Sequence, residues 1–292
     1  MRFQFITDHR DQFPVTRMCG ELAVSPSGFY AWSNRPPSVR EMANEKLFEK
    51  ITRVYNAFHG RYGSPRIYHE LRKQHVRCSE NRVARLMRLR GLQAIQTKRF
   101  KSVTKRSKAH RAAPNLLNRD FTVDRPAQKW LADITYIATM EGWLYLAAVL
   151  DLYSRRIVGW AMSDRATSEM TLAALQMALS QRGPVADLIH HSDQGSQYTD
   201  GKYRALLGNH SIQASMNSVG SWYDNAPMES FFGTLKSELV YHCAYRTRDE
   251  ARTSVFAYIE SFYNRRRSHS SLGYLSPAAY ERLFYQPAQS FA

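Results

Sequence analysis

The sequence predicts an α/β core, a mixed five-stranded sheet flanked by helices, carried behind an all-helical N-terminal part. Three observations lead there. From residue 126 onward apolar runs alternate between strand-like and helix-like spacing, whereas upstream every apolar pattern has helical spacing. The charge changes at nearly the same place: residues 1–120 hold 25 Lys and Arg against 9 Asp and Glu, and residues 121–292 hold 16 of each. The whole formal net charge of +16 therefore lies in residues 1–120, as expected of a segment that grips a polyanion. A length of 292 residues, 43% of them hydrophobic, allows about two domains with a real core and excludes a disordered chain.

Residues 14–22 and 25–34 read as two short helices, the second opened by Ser25 as a cap with Pro26 at the first helical position, where a missing N–H is no loss. This pair, in a first region over residues 1–38, is either a helix-turn-helix or a plain helical hairpin, and Pro36-Pro37 breaks the chain after it. From 41 to 58, Leu47, Ile51, Val54 and Phe58 recur at helical spacing. HGRYGSP makes a loop, Ser64-Pro65 opens a helix to about residue 74, and Ser79 caps another over 80–90 that Gly91 stops. Two helices joined by a short turn, the second carrying Arg82, Arg85, Arg88 and Arg90, have the layout of a helix-turn-helix with its recognition helix. Residues 41–95 are thus the expected DNA-binding region; a solvated basic face on a small bundle is the competing reading.

Residues 96–123 form a basic linker, in which TKRFKSVTKRSKAHR places seven Lys and Arg in fifteen residues with no acid. Such a run repels itself and cannot bury apolar surface unless a phosphate backbone neutralises it. Lys98, Arg99, Lys101, Lys105 and Arg106 are expected to track DNA. A localisation signal or a mere spacer would not account for the basic helices upstream.

The core spans residues 124–285. Residues 129–137 form a strand, WLYLAAVL (143–150) is the uninterrupted apolar run of a central strand buried on both faces, and 156–162 form a third, joined by the tight connections EGW and DLYSR. Residues 167–180 are helical with Met170, Leu172, Leu175 and Leu179 for the core, 188–191 a strand, 201–207 a helix, 212–215 a short strand, and 226–239 and 248–263 helices. Three strands in a row followed by helix, strand, helix, strand, helix is the element order of a ribonuclease H-like fold.

Three acids interrupt these elements. Asp133 sits inside an apolar strand, Asp193 just after Leu188-Ile189, and Glu229 on an amphipathic helix among Phe231, Phe232 and Leu235. A charge inside a core element is costly unless it is paired or binds metal, so the three are expected to form one cluster around a shared partner. Fifty-nine residues separate Asp133 from Asp193 and thirty-five separate Asp193 from Glu229. Cys19, Cys78 and Cys243 are far apart with no zinc-type spacing, which fits a reduced cytoplasm. The N-terminus lacks the apolar stretch of a signal peptide and no run reaches the ~18 residues of a membrane span, so no membrane partner is expected.

W-x-A-D-I-T-Y-I around Asp133, H-S-D-Q-G-S-Q-Y around Asp193, D-N-A-P-M-E-S-F-F-G-T-L-K-S-E-L around Glu229 and Y-N-R-R-R-S-H-S-S-L-G-Y-L-S-P over residues 263–277 closely resemble the OrfB-type transposases of bacterial insertion sequence family three, whose cores are similar to retroviral integrase. The likeness extends to FPVTRMCGELAVSPSGFYAWSNR and HGRYGSPRIYHELRKQHVRCSENRVARLMRLRGLQA, and so covers nearly the whole chain. No departure from the catalytic pattern is visible; the leucine-zipper segment that the family supplies from its upstream reading frame is not in this sequence. The resemblance implies a DDE-type transposase in which Asp133, Asp193 and Glu229 are both catalytic residues and metal ligands. It further implies a strand-circularised intermediate, self-association in a synaptic complex, and action with, or as a frameshift fusion to, the upstream OrfA product. Double-stranded DNA, as element terminal repeats and target, is the substrate, and the location is the bacterial cytoplasm at the nucleoid.

The chemistry agrees with the resemblance. Phosphoryl transfer uses two divalent ions about 3.5–4 Å apart, and hard Mg²⁺, with Mn²⁺ able to substitute, takes carboxylate oxygens and water without a His/Cys cage. Lys236, two helical turns past Glu229, is placed to reach a DNA phosphate or is simply solvated. Asn225 is a DNA contact that orients Glu229, or a helix cap together with Asp224. Asp151 is explained by its turn, His190 and His191 read as structural with His191 the better outer contact, and Glu238 reads as a helix acid outside the cluster. Arg265, Arg266 and Arg267 are expected to bind phosphate. Two other functions stay open: a ribonuclease H-type nuclease that does not join strands, and a DNA-binding regulator without catalysis.

Overall fold

The computed structural model describes residues 1–95, 113–183, 187–217 and 223–286. The chain divides into two compact units, Met1–Gln93 and Ala94–Ala292. Among the described residues no helix is long and apolar enough to cross a membrane.

The first unit is helical throughout. α1 (Arg2–His9), α2 (Val15–Glu21) and α3 (Pro26–Ser33) close over Ile6, Met18, Cys19 and Phe29. The sequence reading missed α1, whose first turn carries neither a side-chain cap nor an acid. Ser25 caps α3 as expected, its hydroxyl accepting the Gly28 N–H at 3.0 Å. α4 (Val39–Ala57) starts two residues before the expected residue 41 because Ser38 and Glu41 form a reciprocal capping box. α4 packs on α5 (Ser64–Lys73) and α6 (Glu80–Leu89) through Leu47, Ile51 and Val54. Ser79 caps α6, and Gly91, with φ +69°, follows its end.

The second unit is built on one sheet in the order β3-β2-β1-β4-β5. β1 (Lys129–Thr139), β2 (Gly142–Asp151) and β3 (Ile157–Ser163) are antiparallel neighbours. β4 (Ile189–Ser192) and β5 (Gln213–Met216) join in parallel, as crossover connections through helices require. α7 (Ser168–Arg182) lies against β3 so closely that a Cβ on Gly159 would collide with the Ala174 carbonyl, which makes that glycine obligatory. Trp130, Ala132, Val149, Leu175 and Tyr203 share the core on this side. α8 (Ser196–Thr199), α9 (Gly201–Asn209), α10 (Ala226–Glu238), α11 (Arg248–Ala257) and α12 (Pro277–Tyr285) complete the unit.

Two expectations need correction here. β2 is not buried along its whole length: Gly142 and Trp143 are exposed, because β3 covers β2 only from Tyr145 onward. The helix expected to run unbroken over 248–263 changes to π-helical winding over Tyr258–Tyr263. Asn264 then pins the following segment to β3, its side-chain amide exchanging two hydrogen bonds with the Ile157 backbone at 3.0 and 2.9 Å.

Candidate active site

β1 outruns β4. Their parallel register covers only Lys129↔Ile189, Trp130↔His190 and Leu131↔His191. Carried two residues further, the same register sets Asp133 level with Asp193, on strands about 4.8 Å apart. Asp193 follows the last residue of β4, where its Oδ1 accepts the Gly195 N–H at 2.9 Å. A Cβ on Gly195 would approach that same oxygen to 2.9 Å, so the glycine two residues after the acid leaves room for the carboxylate.

The loop bearing Asp193 is laced to the end of β5. Ser215 Oγ accepts the Leu116 N–H at 2.9 Å and donates to His191 Nδ1 at 2.8 Å, and His191 Nε2 donates to Asn217 Oδ1 at 2.6 Å. Gln194 Nε2 donates to the Asn217 carbonyl at 2.7 Å. Burial, outweighing Asn217 and the nearby Asp224 and Asp193, lowers the His191 pKa, so the ring is neutral and both its nitrogens are used. His190 is buried too, its Nε2 accepting the Tyr203 hydroxyl at 3.1 Å, and burial lowers its pKa to about 4. Both histidines are structural, with His191 the one that steadies the acid loop.

Asp133 is partly buried, and one of its oxygens accepts the Ile134 N–H at 2.8 Å. Burial, then the charge of Asp193 and more weakly that of Glu229, push its carboxyl up to about 8, against the opposing pull of Lys236. Asp193 is raised by burial, in spite of the Gly195 N–H and His191. Glu229 stands on the exposed face of the first turn of α10, and burial raises its carboxyl as well. α10 packs against β1. The acids therefore share one electrostatic neighbourhood, although no three His, Cys, Asp or Glu side chains among the described residues already form a metal cage.

The other expected site residues divide. Lys236 is half-buried, its Nζ 4.6 Å from the Tyr136 ring centroid and its charge felt by Asp133. Asn225 is buried and does not cap α10; its Nδ2 donates to the Ala132 carbonyl at 3.3 Å, fastening the helix start to β1 beside Asp133. That burial removes it as a DNA contact and makes it a fastener. Arg267 is also corrected: it is only 5% exposed, and its guanidinium binds the buried Glu238 through Nε at 3.0 Å and Nη2 at 2.7 Å. Glu238 also accepts the Tyr258 hydroxyl at 2.8 Å, so it is no surface acid. Arg265 and Arg266 are exposed. In the first unit Arg82 is half-buried, its Nε donating to Asn44 Oδ1 at 2.9 Å, Arg85 is half-buried, and Arg88 is exposed. Arg82 and Arg85 line a shallow groove with Val39, Arg40, Ser79 and Asn81. Lys98, Arg99, Lys101, Lys105 and Arg106 lie outside the described residues.

Tyr198, in the motif that carries Asp193, was missed by the sequence reading. It is buried, and its hydroxyl has no hydrogen-bond partner among the described residues. Burial, then Tyr203, Asp133 and Asp193, raise its pKa well above the ordinary value. An aromatic residue five positions after the acid was the available signal.

Residues 123–221 match a family described as Integrase core domain, residues 229–283 a second family of the same description, and residues 42–100 an HTH-like domain. The chain is 44% identical over 271 residues to the insertion element IS600 uncharacterized 31 kDa protein of Shigella sonnei, covering 93% of this chain and 100% of that protein. It is 41% identical over 283 residues to the transposase InsF for insertion sequence IS3A of Escherichia coli strain K12, covering 96% and 98%. Among solved structures it is similar to the HTLV-2 integrase catalytic core domain in complex with magnesium, at 16% identity and TM-score 0.42 over 54% of this chain and 97% of that one. A simian T-cell lymphotropic virus intasome in complex with the PP2A regulatory subunit B56 gamma gives 13% identity and TM-score 0.46 over 82% and 76%.

Proposed function

The chain belongs to the insertion-sequence transposases of the IS3 type, and from that premise we propose how its own residues cut and rejoin DNA. It is a polynucleotidyl transferase with an integrase core and an HTH-like region. Asp133, Asp193 and Glu229 are the catalytic acids, and the observation that carries this is the β1–β4 register that sets Asp133 beside Asp193. The donor set suits Mg²⁺, with Mn²⁺ as a substitute: every ligand is a carboxylate, while the neighbouring imidazoles are already bonded to Ser215, Asn217 and Tyr203. Asp133 within β1 and Asp193 just past the end of β4 would hold the ions, with Glu229 facing them from the exposed face of α10. Two such ions, when bound, activate the attacking oxygen and stabilise the leaving one.

The residues of the chain do the rest. Asp133, which holds its proton near neutrality, would release it to water as a divalent ion binds, Gly195 leaves space for the Asp193 carboxylate, and the His191–Asn217 lacing keeps that loop still. Lys236, Arg265 and Arg266 take DNA phosphates beside the acids. Arg82, Arg85, Arg88 and the basic run from Lys98 to Arg106 grip the duplex elsewhere, positioning without reading bases where they touch phosphate. Water attacks first to free a 3′-hydroxyl, which then attacks a second phosphodiester directly, with no covalent protein intermediate. The substrates are the element's terminal repeats and a target duplex, held by several copies of the chain together with the upstream OrfA product, at the nucleoid.

A labelled duplex of the element's own end, incubated with Mg²⁺ and OrfA, tests this. Cleavage and joining are expected, and Asp133→Asn, Asp193→Asn and Glu229→Gln should each lower both by about 10²–10³ or more, non-additively and with DNA binding retained. Cleavage by Glu229→Gln at the parental rate would remove Glu229 from the set. Hydrolysis without joining of pre-cut ends would favour a nuclease, and binding without metal-dependent nicking a regulator.

A further inference from the structure

The β1–β2 hairpin turns outward a group of aromatic rings that the described core leaves in water. Tyr136 is 54% exposed, Trp143 49%, and Tyr241, just past α10, 45%. Tyr136 and Trp143 meet edge to face with centroids 4.9 Å apart, and Met140 in the turn between them is exposed as well. Partial burial, then the charge of Tyr136, raise the Tyr241 phenol. A contiguous exposed apolar group of this kind marks an interaction surface.

Cations stand on both sides of it. Lys236 carries its ammonium over the Tyr136 ring, and Arg248 reaches across to the Trp143 carbonyl, its Nε donating at 3.1 Å. The one acid in the hairpin turn, Glu141, is occupied by the Arg248 backbone N–H at 2.8 Å. Trp143 pairs with Ala138, five residues along β1 from Asp133. At about 3.3 Å per residue the rings stand at least roughly 10 to 16 Å along β1 from Asp133 and, by strand alternation, on its other face, with Lys236, which lies over Tyr136 and is felt by Asp133, linking the two.

Area and charge decide what fits. Three half-exposed rings of ~200 Å² each offer roughly 300 Å², well short of the ~800 Å² per partner of a stable protein interface, and the cores of such interfaces are depleted of the charges that flank this patch. Paired duplex offers no base faces, because they are stacked on one another. An unpaired strand offers both base faces and phosphates, which is what rings flanked by cations bind.

We propose that Trp143 and Tyr136 form a stacking platform for unpaired nucleobases of the DNA strand that runs past the acid pair, with Lys236 on its phosphates. This rests on the reading of the acids as a DNA-cutting site. The full chain should therefore prefer a duplex carrying a short unpaired arm over the same duplex with a blunt end.

The test uses a duplex of about thirty base pairs, with or without a five-nucleotide single-stranded arm carrying 2-aminopurine, titrated with the full chain in Mg²⁺-free buffer so that nothing is cut. Binding should favour the arm and quench 2-aminopurine. Trp143→Ala and Tyr136→Ala should each weaken arm binding roughly 5- to 150-fold, the worth of one stacked base, with much smaller change on the blunt duplex. Trp143→Phe, which keeps a ring, should retain most of the quenching. Unchanged arm preference in both alanine variants, with circular dichroism showing them folded, would overturn the platform while leaving the acid site standing. A loss of self-association in Trp143→Ala, by sedimentation without DNA, would assign the surface to a second copy instead. Failure of the parental chain to bind either duplex would overturn the DNA reading itself.

Discussion

Two groups of acids lie three residues apart along β1, and they are built to opposite rules. At Trp130, the neighbour across the hairpin is Asp151, fully buried and accepting the N–H groups of Ala127 at 2.8 Å and Tyr153 at 3.0 Å, with Arg182 at 3.9 Å. Arg182 also binds Glu281 of α12, which holds Arg156 at 2.7 Å and the Ser154 hydroxyl at 3.1 Å. Burial works against ionising Glu281, yet Arg182 and Arg156 keep its carboxyl below the ordinary value. Asp151 itself is raised by burial, against the pull of the Ala127 N–H and Arg182. At Asp133 no such arginine stands among the described residues: the carboxyls of Asp133, Asp193 and Glu229 are raised with nothing but Lys236 as the cation that Asp133 feels. Acids supplied with their own cations fasten the fold. Acids left without them are poised for a cation from outside.

The largest effect that would break this comparison is on stability. Glu281→Ala leaves Arg156 and Arg182 without their anion, and breaking a buried pair from one side costs about 3–5 kcal/mol, or roughly 6–20 °C in Tm for a unit of this size. Asp133→Asn removes a carboxyl whose ionisation is already unfavourable, so thermal melting without metal should show equal or higher stability. If both variants melted equally low, the distinction between scaffold and site would fail.

A smaller effect is on pH. Asp133 has a folded pKa of about 8 against its ordinary 3.8, so the native chain binds more protons than the unfolded one across that window. Its contribution is fully present below about pH 4 and is lost as pH rises toward 8. Melting temperature in metal-free buffer should therefore fall between pH 6 and 8.5, the fall should vanish in Asp133→Asn, and Mg²⁺ should restore the loss. Glu281 has the opposite sign, its stabilisation being lost in acid. A flat profile for the parental chain would show that Asp133 is not confined as described.

The smallest effect concerns Tyr198. Its buried hydroxyl lacks a partner among the described residues, and such a group costs about 1–3 kcal/mol. Tyr198→Phe keeps the ring edge on Tyr203, 5.4 Å between centroids, and should raise Tm by a few degrees in metal-free buffer. A fall in Tm instead would mean that the hydroxyl is satisfied in solution.

The acids themselves were legible in the sequence, because a carboxylate inside an apolar strand contradicts its surroundings and the contradiction is local. The order of elements along the chain was legible too, since the period of apolar residues changes where helices give way to strands. Glu238 and Arg267 were not legible. Twenty-nine residues apart, each looks like a surface charge, and only the turn of the chain after the π-helical stretch buries them together. Asn225 was expected at the DNA because a polar residue one turn before Glu229 reads as exposed, whereas tertiary contact with Ala132 buries it and takes the amide. The exposure of Trp143 was hidden because its apolar run continues into a buried strand, and sequence does not show where the neighbouring strand stops.

The β1–β4 register also sets a schedule. Leu131 and His191, which pair directly, are sixty residues apart, and Glu229 lies ninety-six residues after Asp133. At a synthesis rate of ~5–20 residues per second, the ribosome needs about 5–19 s to deliver all three acids once the first has been made. On the proposed assignment of the acids, the nascent chain would throughout that interval possess its basic N-terminal part and lack the means to cut. A product that terminated before α10 would then be held at that stage, occupying DNA without breaking it.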